Sequence, residues 1–231
     1  MRPETSQRYG PFRPIFNLYA LLLLAVLCWA PPAAADDALQ VLALGDSLTA
    51  GYGLPQDKSF PAQLQKALRD DGLDVTVHNA GVSGDTASGG LTRLDWALAG
   101  VNGKPDLVIV ELGANDALRG VDPHVTSKAL SDIIDRLKRD GIPVLLAGMK
   151  APPNMGEDYV KRFDNIYPVL AQVFDVPLYP FFLDGVAGNK ALNQTDGMHP
   201  TAEGVAIIVK RMEPVLLGLL APEAAHQAAA P

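Results

Sequence analysis

Short, strongly apolar runs limit most narrowly what this chain can fold into. The clearest run, Leu107–Val110, places four aliphatic residues in a row and is apolar enough to be buried on both sides of a sheet. Similar runs occur at 41–44 and 144–147. The segments between them repeat their apolar residues with helical spacing. This strict alternation with short connections predicts a parallel sheet covered by helices on both faces.

The predicted fold class is α/β, a three-layer, flavodoxin-like sandwich with a five-stranded parallel sheet and helices on both faces. Proline and glycine locate some helix ends: Asp122 and Pro123 begin one helix, and Pro168 should kink or split another. Trp96 is expected to pack against the core from its helix. The predicted strands are 41–44, 74–79, 107–110, 144–147 and 176–181, and the predicted helices are 59–71, 86–98, 122–141, 157–174 and 202–212.

The first 35 residues differ in composition from the rest. Three arginines precede an apolar run from Leu18 to Ala30, and Ala33-Ala34-Ala35 supplies a small-residue cleavage site, as in a secretory signal peptide. The alternative is a membrane anchor, but an anchor needs about 20 apolar residues, and this run is shorter and ends in Pro31-Pro32. The predicted organisation is a signal peptide at 1–35, one domain at 36–220 and a flexible tail at 221–231.

Charge and cysteine content exclude several classes of protein. Removing the leader takes away three arginines and one glutamate, which reduces 19 basic and 26 acidic residues to 16 and 25. This acidic balance argues against a nucleic-acid partner. The single cysteine, Cys28, lies in the leader. The mature protein therefore has no thiol, which excludes disulfides, a thiolate nucleophile and cysteine-rich zinc sites.

Four polar stretches are predicted to lie at one edge of the sheet. Ser47 follows the first strand, a glycine-rich segment at 79–86 follows the second, Asn115 follows the third, and Asp196 with His199 precedes the last helix. Each stretch alone would be an ordinary capped turn. Ligands of open α/β sheets bind at the carboxyl ends of the strands, so the coincidence of all four favours a functional site.

The residue types of these stretches suit nucleophilic catalysis. The Asp196 carboxylate can fix the tautomer of His199, which leaves the other imidazole nitrogen free as a base toward the Ser47 hydroxyl. The backbone N–H of Gly84 and the side-chain amide of Asn115 are donors suited to an oxyanion. Only one histidine belongs to this cluster, so the sequence predicts neither a metal site nor a cofactor.

The four stretches resemble the sequence blocks of the SGNH, or GDSL-type, hydrolases, and the resemblance spans nearly the whole mature chain. It is closest to the periplasmic branch with multifunctional thioesterase, arylesterase and lysophospholipase activity. The matching blocks are Gly45-Asp46-Ser47-Leu48, Gly81-Val82-Ser83-Gly84-Asp85, Gly113-Ala114-Asn115-Asp116 and Asp196-Gly197-Met198-His199-Pro200.

The resemblance implies a role for each site residue. Ser47 would be the nucleophile, His199 the base and Asp196 its orienter. Ser47 through its backbone N–H, Gly84 and Asn115 would form the oxyanion hole. The segment 84–94 resembles the substrate-facing loop of that branch. The implied substrate is a small-molecule ester or thioester, and the implied location is the periplasm, with no membrane anchor after the leader is cleaved.

Three other functions fit parts of the pattern. A carbohydrate O-acetyl esterase would use the same scaffold and the same residues. A non-catalytic flavodoxin-like domain could hold phosphate or flavin on the Gly45 and Gly84 loops, but it would not need Asp196 and His199. A metal-dependent phosphoesterase would need several converging histidine and carboxylate ligands, and the sequence clusters only one histidine.

Overall fold

The computed structural model describes residues 38–228, and side chains are described as far as residue 222. These residues belong to one compact unit, Ala38–Pro231. The predicted signal peptide at 1–35 lies outside the described residues. No helix between residues 38 and 228 combines the length and the apolar character that crossing a membrane requires.

A five-stranded parallel sheet forms the centre of the protein, with the strand order β2-β1-β3-β4-β5. This is the order of the flavodoxin-like doubly wound sheet, so the predicted fold class is confirmed. β1 lies between β2 and β3, and its last residue, Gly45, lies opposite Gly81 on one side and Glu111 on the other. The strands are β1 Leu39–Gly45, β2 Val75–Gly81, β3 Leu107–Glu111, β4 Val144–Ala147 and β5 Leu178–Tyr179.

Helices cover both faces of the sheet. Every residue of β3 and β4 is buried, which requires a layer on each side, whereas the edge strand β2 alternates between buried and partly exposed residues. The helices are α1 Ser47–Ala50, α2 Phe60–Asp70, α3 Ala87–Thr92, α4 Leu94–Ala99, α5 Ala114–Leu118, α6 Pro123–Arg139, α7 Glu157–Asp164, α8 Ile166–Phe174 and α9 Ala202–Ala228.

Two groups of helices pack on the sheet. α2 and α9 pack against each other and against β2 and β1, while α6 packs against α3 and α8, and α8 contacts β4 and β5. The helical periodicity that defined α2 and α6 in the sequence corresponds to their buried faces. The core residues that these two helices contribute are Phe60, Leu64, Leu68, Leu130, Ile133, Ile134 and Leu137.

Several predicted elements differ from the observed ones. The predicted helix 86–98 is two helices that meet at Arg93. The predicted helix 157–174 is split, as Pro168 indicated: the break lies at Asn165, which places Pro168 in the first turn of α8, where its missing N–H is not needed. β5 is only two residues long, because prolines on either side, at 177 and 180, cannot donate to a neighbouring strand.

Two further expectations are wrong. Trp96 does not pack against the core, because 72% of its surface is exposed. The last helix does not end near Met212 but continues to Ala228. Part of the segment 221–231, predicted to be a flexible tail, is therefore helical. Met212, Leu216 and Leu220 lie four residues apart and are all fully buried, so one face of α9 keeps its contact with the core well beyond the predicted end.

Candidate active site

The first polar stretch forms a tight turn that presents Ser47. β1 ends at Gly45, Asp46 caps α1 by accepting a 2.9 Å hydrogen bond from Leu48 N, and Ser47 is the first residue of α1. A Cβ at position 45 would come within 2.1 Å of Thr49 Oγ1 and within 2.7 Å of Glu111 Oε2. Only glycine fits there, so this residue lets Thr49 and Glu111 pack closely against the end of β1.

Ser47, His199 and Asp196 form a continuous hydrogen-bonded chain. His199 Nε2 lies 3.0 Å from Ser47 Oγ, and His199 Nδ1 lies 2.6 Å from Asp196 Oδ2. The other carboxylate oxygen of Asp196 accepts from the backbone N–H groups of His199 and Met198 at 3.0 and 2.9 Å. Those hydrogen bonds, from the backbone and side chain of His199 and then from Met198, lower the pKa of Asp196 to about 2. Asp196 is thus held as a carboxylate facing the imidazole.

The ring of Tyr52 packs against the imidazole ring of His199. Its ring centroid lies 4.5 Å from that of His199, with the planes tilted by 36°. The sequence analysis did not single out Tyr52. Its position after the nucleophile helix, five residues from Ser47, is the only sequence signal that places it at this edge of the sheet.

Asn115 lies beside the turn that presents Ser47. It is the second residue of α5, which follows β3 through Gly113. Its Nδ2 donates to Asp46 Oδ2 at 3.0 Å and to the backbone oxygen of Asp85 at 2.9 Å. A side-chain amide has two N–H hydrogens, so both are engaged in this state of the protein.

Gly84 lies next to this cluster but outside the cavity wall. Its φ of +85° is the left-handed conformation that favours glycine, and its carbonyl accepts a 2.8 Å hydrogen bond from Arg119 Nη2. Its N–H, like that of Ser47, donates to no other residue in the described part of the chain. The structure therefore brings Gly84 near Asn115 through the neighbouring Asp85 and leaves two backbone donors free.

Two buried carboxyl groups lie behind the turn that presents Ser47. Burial is the main cause that raises the pKa of Asp46 to about 6, although its bonds to Leu48 and Asn115 oppose the shift. Burial, and then the charge of Asp46, raises the pKa of Glu111 well above its ordinary value. Glu111 Oε2 accepts a 2.8 Å hydrogen bond from the Thr49 hydroxyl, and Oε1 has no partner. Burial therefore shifts the pKa of both groups upward, and that of Glu111 also because Asp46 carries a negative charge beside it.

A cavity of about 240 Å³ opens beside Ser47. Asn115 and His199 line it, whereas no residue of the segment 84–94 does. Part of that segment packs inward, because a Cβ at Gly90 would lie 2.3 Å from Leu112. The other lining residues are Leu48, Ala114, Leu118, Met149, Lys150, Pro152, Leu183, Ala187, Gly188, Asn193, Gly197 and Met198.

Most of this wall was not identified from the sequence. Met149, Lys150 and Pro152 directly follow β4, so the rule that placed Ser47 and Asn115 at the sheet edge also applies to them. Leu183, Ala187 and Gly188 lie in an irregular segment with no periodic signal. Within the described residues, no group of three or more histidine, cysteine, aspartate or glutamate side chains is placed to share a metal ion.

Comparison with known proteins identifies the family. Residues 43–207 match the model of the GDSL-like lipase/acylhydrolase family. The chain is 44% identical to an arylesterase of Vibrio mimicus over 182 residues, which cover 79% of this chain and 90% of that protein. It is 37% identical to thioesterase 1/protease 1/lysophospholipase L1 of Escherichia coli K12 over 209 residues, covering 89% and 97%.

The fold comparison agrees. The crystal structure of TesA superposes with a TM-score of 0.74 at 40% identity, covering 78% of this chain and 99% of that one. This chain belongs to the GDSL-like lipase/acylhydrolase, or SGNH, family and is an ester hydrolase of the serine type.

Proposed function

We propose that this protein hydrolyses carboxylic esters and thioesters of small aryl or acyl-chain substrates through a covalent acyl-enzyme on Ser47. One observation carries the proposal: the 3.0 Å and 2.6 Å contacts that join Ser47 Oγ, the two nitrogens of His199 and the Asp196 carboxylate. This is the arrangement in which a hydroxyl, a base and an orienting carboxylate act together.

Acylation begins when Ser47 Oγ attacks the substrate carbonyl carbon. His199 Nε2 takes the hydroxyl proton, and Asp196 holds the ring and stabilises the imidazolium that forms. Collapse of the tetrahedral intermediate breaks the bond to the alcohol or thiol, which leaves with the proton from His199. Water then attacks the acyl-enzyme, with His199 again as the base, and releases the carboxylic acid and free Ser47.

The negative charge of the tetrahedral intermediate needs donors in place before the reaction. The free backbone N–H groups of Ser47 and Gly84 are two candidates. Asn115 is the third, but its amide must share or release one of its bonds to Asp46 and Asp85 when the oxyanion forms. Since Asp46 and Asp85 hold the amide next to Ser47, the donor is already oriented when substrate arrives.

The apolar wall of the cavity favours an acyl or aryl substrate rather than a sugar. Its wall is mainly aliphatic, with leucine, methionine, alanine and proline side chains, and apolar walls bind apolar groups. The names of the relatives, arylesterase and thioesterase 1/protease 1/lysophospholipase L1, are in keeping with this class. The alternative is a carbohydrate O-acetyl esterase, which would carry out the same type of reaction on an acetylated sugar. The leader pattern of residues 1–35 supports a periplasmic location.

A fluorophosphonate probe tests the nucleophile. Mass spectrometry of the labelled protein should locate the adduct on Ser47, because the probe reacts with the activated hydroxyl, and Ser47→Ala should remove both the label and ester hydrolysis. Ser83→Ala is the matched control, since Ser83 is an exposed serine of the neighbouring loop, and it should keep both. A label on Ser83, or no label on a chain that hydrolyses nitrophenyl esters, would refute the assignment.

A further inference from the structure

The cavity wall contains a single permanently charged side chain. Of the residues that line it, Lys150 alone carries a full charge at neutral pH, and none is an aspartate or glutamate. The remaining wall is apolar or uncharged apart from His199, which belongs to the hydrogen-bonded chain. Lys150 is thus the one lysine or arginine of this wall, and the hydrolytic chemistry does not use it.

Lys150 is available to a ligand. It follows β4 at the same sheet edge as Ser47, it is exposed, and no carboxylate of the described residues lies within ion-pair distance of its Nζ. Its Nζ lies 5.1 Å from the centroid of the Phe181 ring, a contact that attracts a cation without neutralising its charge. Phe181 therefore restrains the ammonium and leaves its donors free.

The remaining charges of the protein make this position unusual. The chain has a formal net charge of −7, so its overall field repels anions. Arg93 and Arg119 are cations of the neighbouring segments, but they donate to the Gly45 and Gly84 carbonyls, and neither lines the cavity. Lys150 is thus the group that would compensate a negative charge on a molecule bound in this cavity.

We propose that Lys150 makes the cavity selective for esters that carry an anionic group, a carboxylate or a phosphate, on the part of the molecule bound beside the scissile bond. The inference rests on the proposed ester hydrolysis and names its substrate class. Lys150 takes no part in the chemistry itself. It stabilises the bound anionic substrate relative to a neutral substrate of the same shape, because the neutral substrate gains nothing from the ammonium.

Matched pairs of esters separate the two possible sources of the charge. In one arm the charge is on the acyl chain: mono-para-nitrophenyl glutarate is compared with para-nitrophenyl pentanoate, which has the same chain length and no carboxylate. In the other arm the charge is on the leaving group: para-acetoxyphenyl phosphate is compared with phenyl acetate. The quantity measured in each arm is the ratio of kcat/KM for the anionic ester to kcat/KM for the neutral ester.

In one arm or both, Lys150→Met should lower this ratio about two- to five-fold, the range expected for an exposed ion pair. Lys150→Arg should retain it. In the wild type the ratio should fall as salt rises, because the Debye length shrinks from about 10 Å at 0.1 M to about 3 Å at 1 M. Lys161→Met is the matched control, an exposed lysine on α7 that does not line the cavity, and it should leave the ratio unchanged.

Two results would overturn the proposal. One is an unchanged ratio in both arms for Lys150→Met. The other is an equal fall for Lys161→Met, which would assign the effect to overall charge. Neither result contradicts the proposed function, provided that the protein hydrolyses the neutral esters. Failure of the wild type to hydrolyse any of the four esters would instead contradict the proposed function.

Discussion

At the scale of single residues, Asn115 shows how the site is organised before substrate binds. Its two amide hydrogens are donated to Asp46 and to the Asp85 carbonyl. Neither acceptor belongs to the hydrogen-bonded chain of Ser47, so the amide is positioned independently of the nucleophile. A donor held in this way loses little further freedom when the transition state forms, which is the condition for strong stabilisation of an oxyanion.

Asn115→Ala should therefore lower kcat about 10²- to 10³-fold, equivalent to about 2.7–4 kcal/mol, with a much smaller change in KM. Steady-state kinetics on a nitrophenyl ester measure the two constants. Asn115→Asp should be at least as harmful, because its carboxylate would face Asp46, the Asp85 carbonyl and the oxyanion. Asn102→Ala, an exposed asparagine in another loop, is the control and should behave as wild type. Unchanged kcat in Asn115→Ala would reduce Asn115 to a turn-forming residue.

At the scale of secondary-structure elements, the nucleophile helix depends on its neighbour in the sheet. α1 has only four residues, far too few to be stable by itself. Glu111, at the end of β3, accepts from the Thr49 hydroxyl of α1 and, at 3.4 Å, from Asp46 N. The side chain of one strand therefore holds the turn that follows the adjacent strand, and burial favours the protonated form of that side chain.

Glu111→Gln tests this protonation through its effect on stability. The pKa of Glu111 is raised in the folded protein, so above the ordinary value of 4.5 the unfolded chain loses a proton that the folded chain keeps. The contribution of Glu111 to stability is thus present at low pH and is lost as pH rises, by at most about 1.4 kcal/mol per pH unit. Glutamine does not titrate, so the variant should gain stability relative to wild type between pH 4.5 and pH 7.5.

Urea unfolding at both pH values measures the difference. Glu157→Gln, an exposed glutamate at the start of α7, is the control and should follow the wild-type profile. If the difference between Glu111→Gln and wild type is the same at both pH values, Glu111 has no raised pKa, and the turn is held by an ionised carboxylate instead.

The elements also show which parts of the protein the sequence could predict. β1, β3 and β4 were correctly located because continuous aliphatic runs identify strands that are buried on both faces. Ser47, Asn115, Asp196 and His199 were found because the carboxyl ends of parallel strands must share an edge. The split at Arg93 was missed because that side chain reaches the Gly45 carbonyl, 48 residues away, and no local pattern reports such a contact.

The cavity wall was harder to predict for the same reason. Lys150 and Leu183 approach Ser47 from loops whose course depends on tertiary packing, and irregular loops have no periodicity to read. The two bonds of the Asn115 amide were equally hidden, because residues 46 and 85 are distant from it in the sequence. Motif order was thus sufficient to predict that Ser47, His199 and Asp196 lie together, but not to predict the cavity wall beside them.

At the scale of the whole molecule, the site depends on both ends of the domain. Ser47 and His199 are separated by 152 residues, and the segment that carries His199 leads directly into α9. This helix packs on β1, the strand that ends at Ser47, and on α2. The contacts of α9 therefore connect the base to the same core that positions the nucleophile, and its buried face extends to Leu220, the end of the predicted domain.

Leu220→Ala tests whether the last turns of this face stabilise the domain. Leu220 is fully buried, so its truncation should lower the free energy of unfolding by about 2–5 kcal/mol and lower the melting temperature accordingly. Leu217→Ala is the matched control on the same helix, because Leu217 is only partly buried, and it should cost clearly less. Ester hydrolysis by Leu220→Ala below its melting transition should match wild type, since Leu220 does not line the cavity. A wild-type unfolding energy for Leu220→Ala would place the end of the stable domain before residue 220.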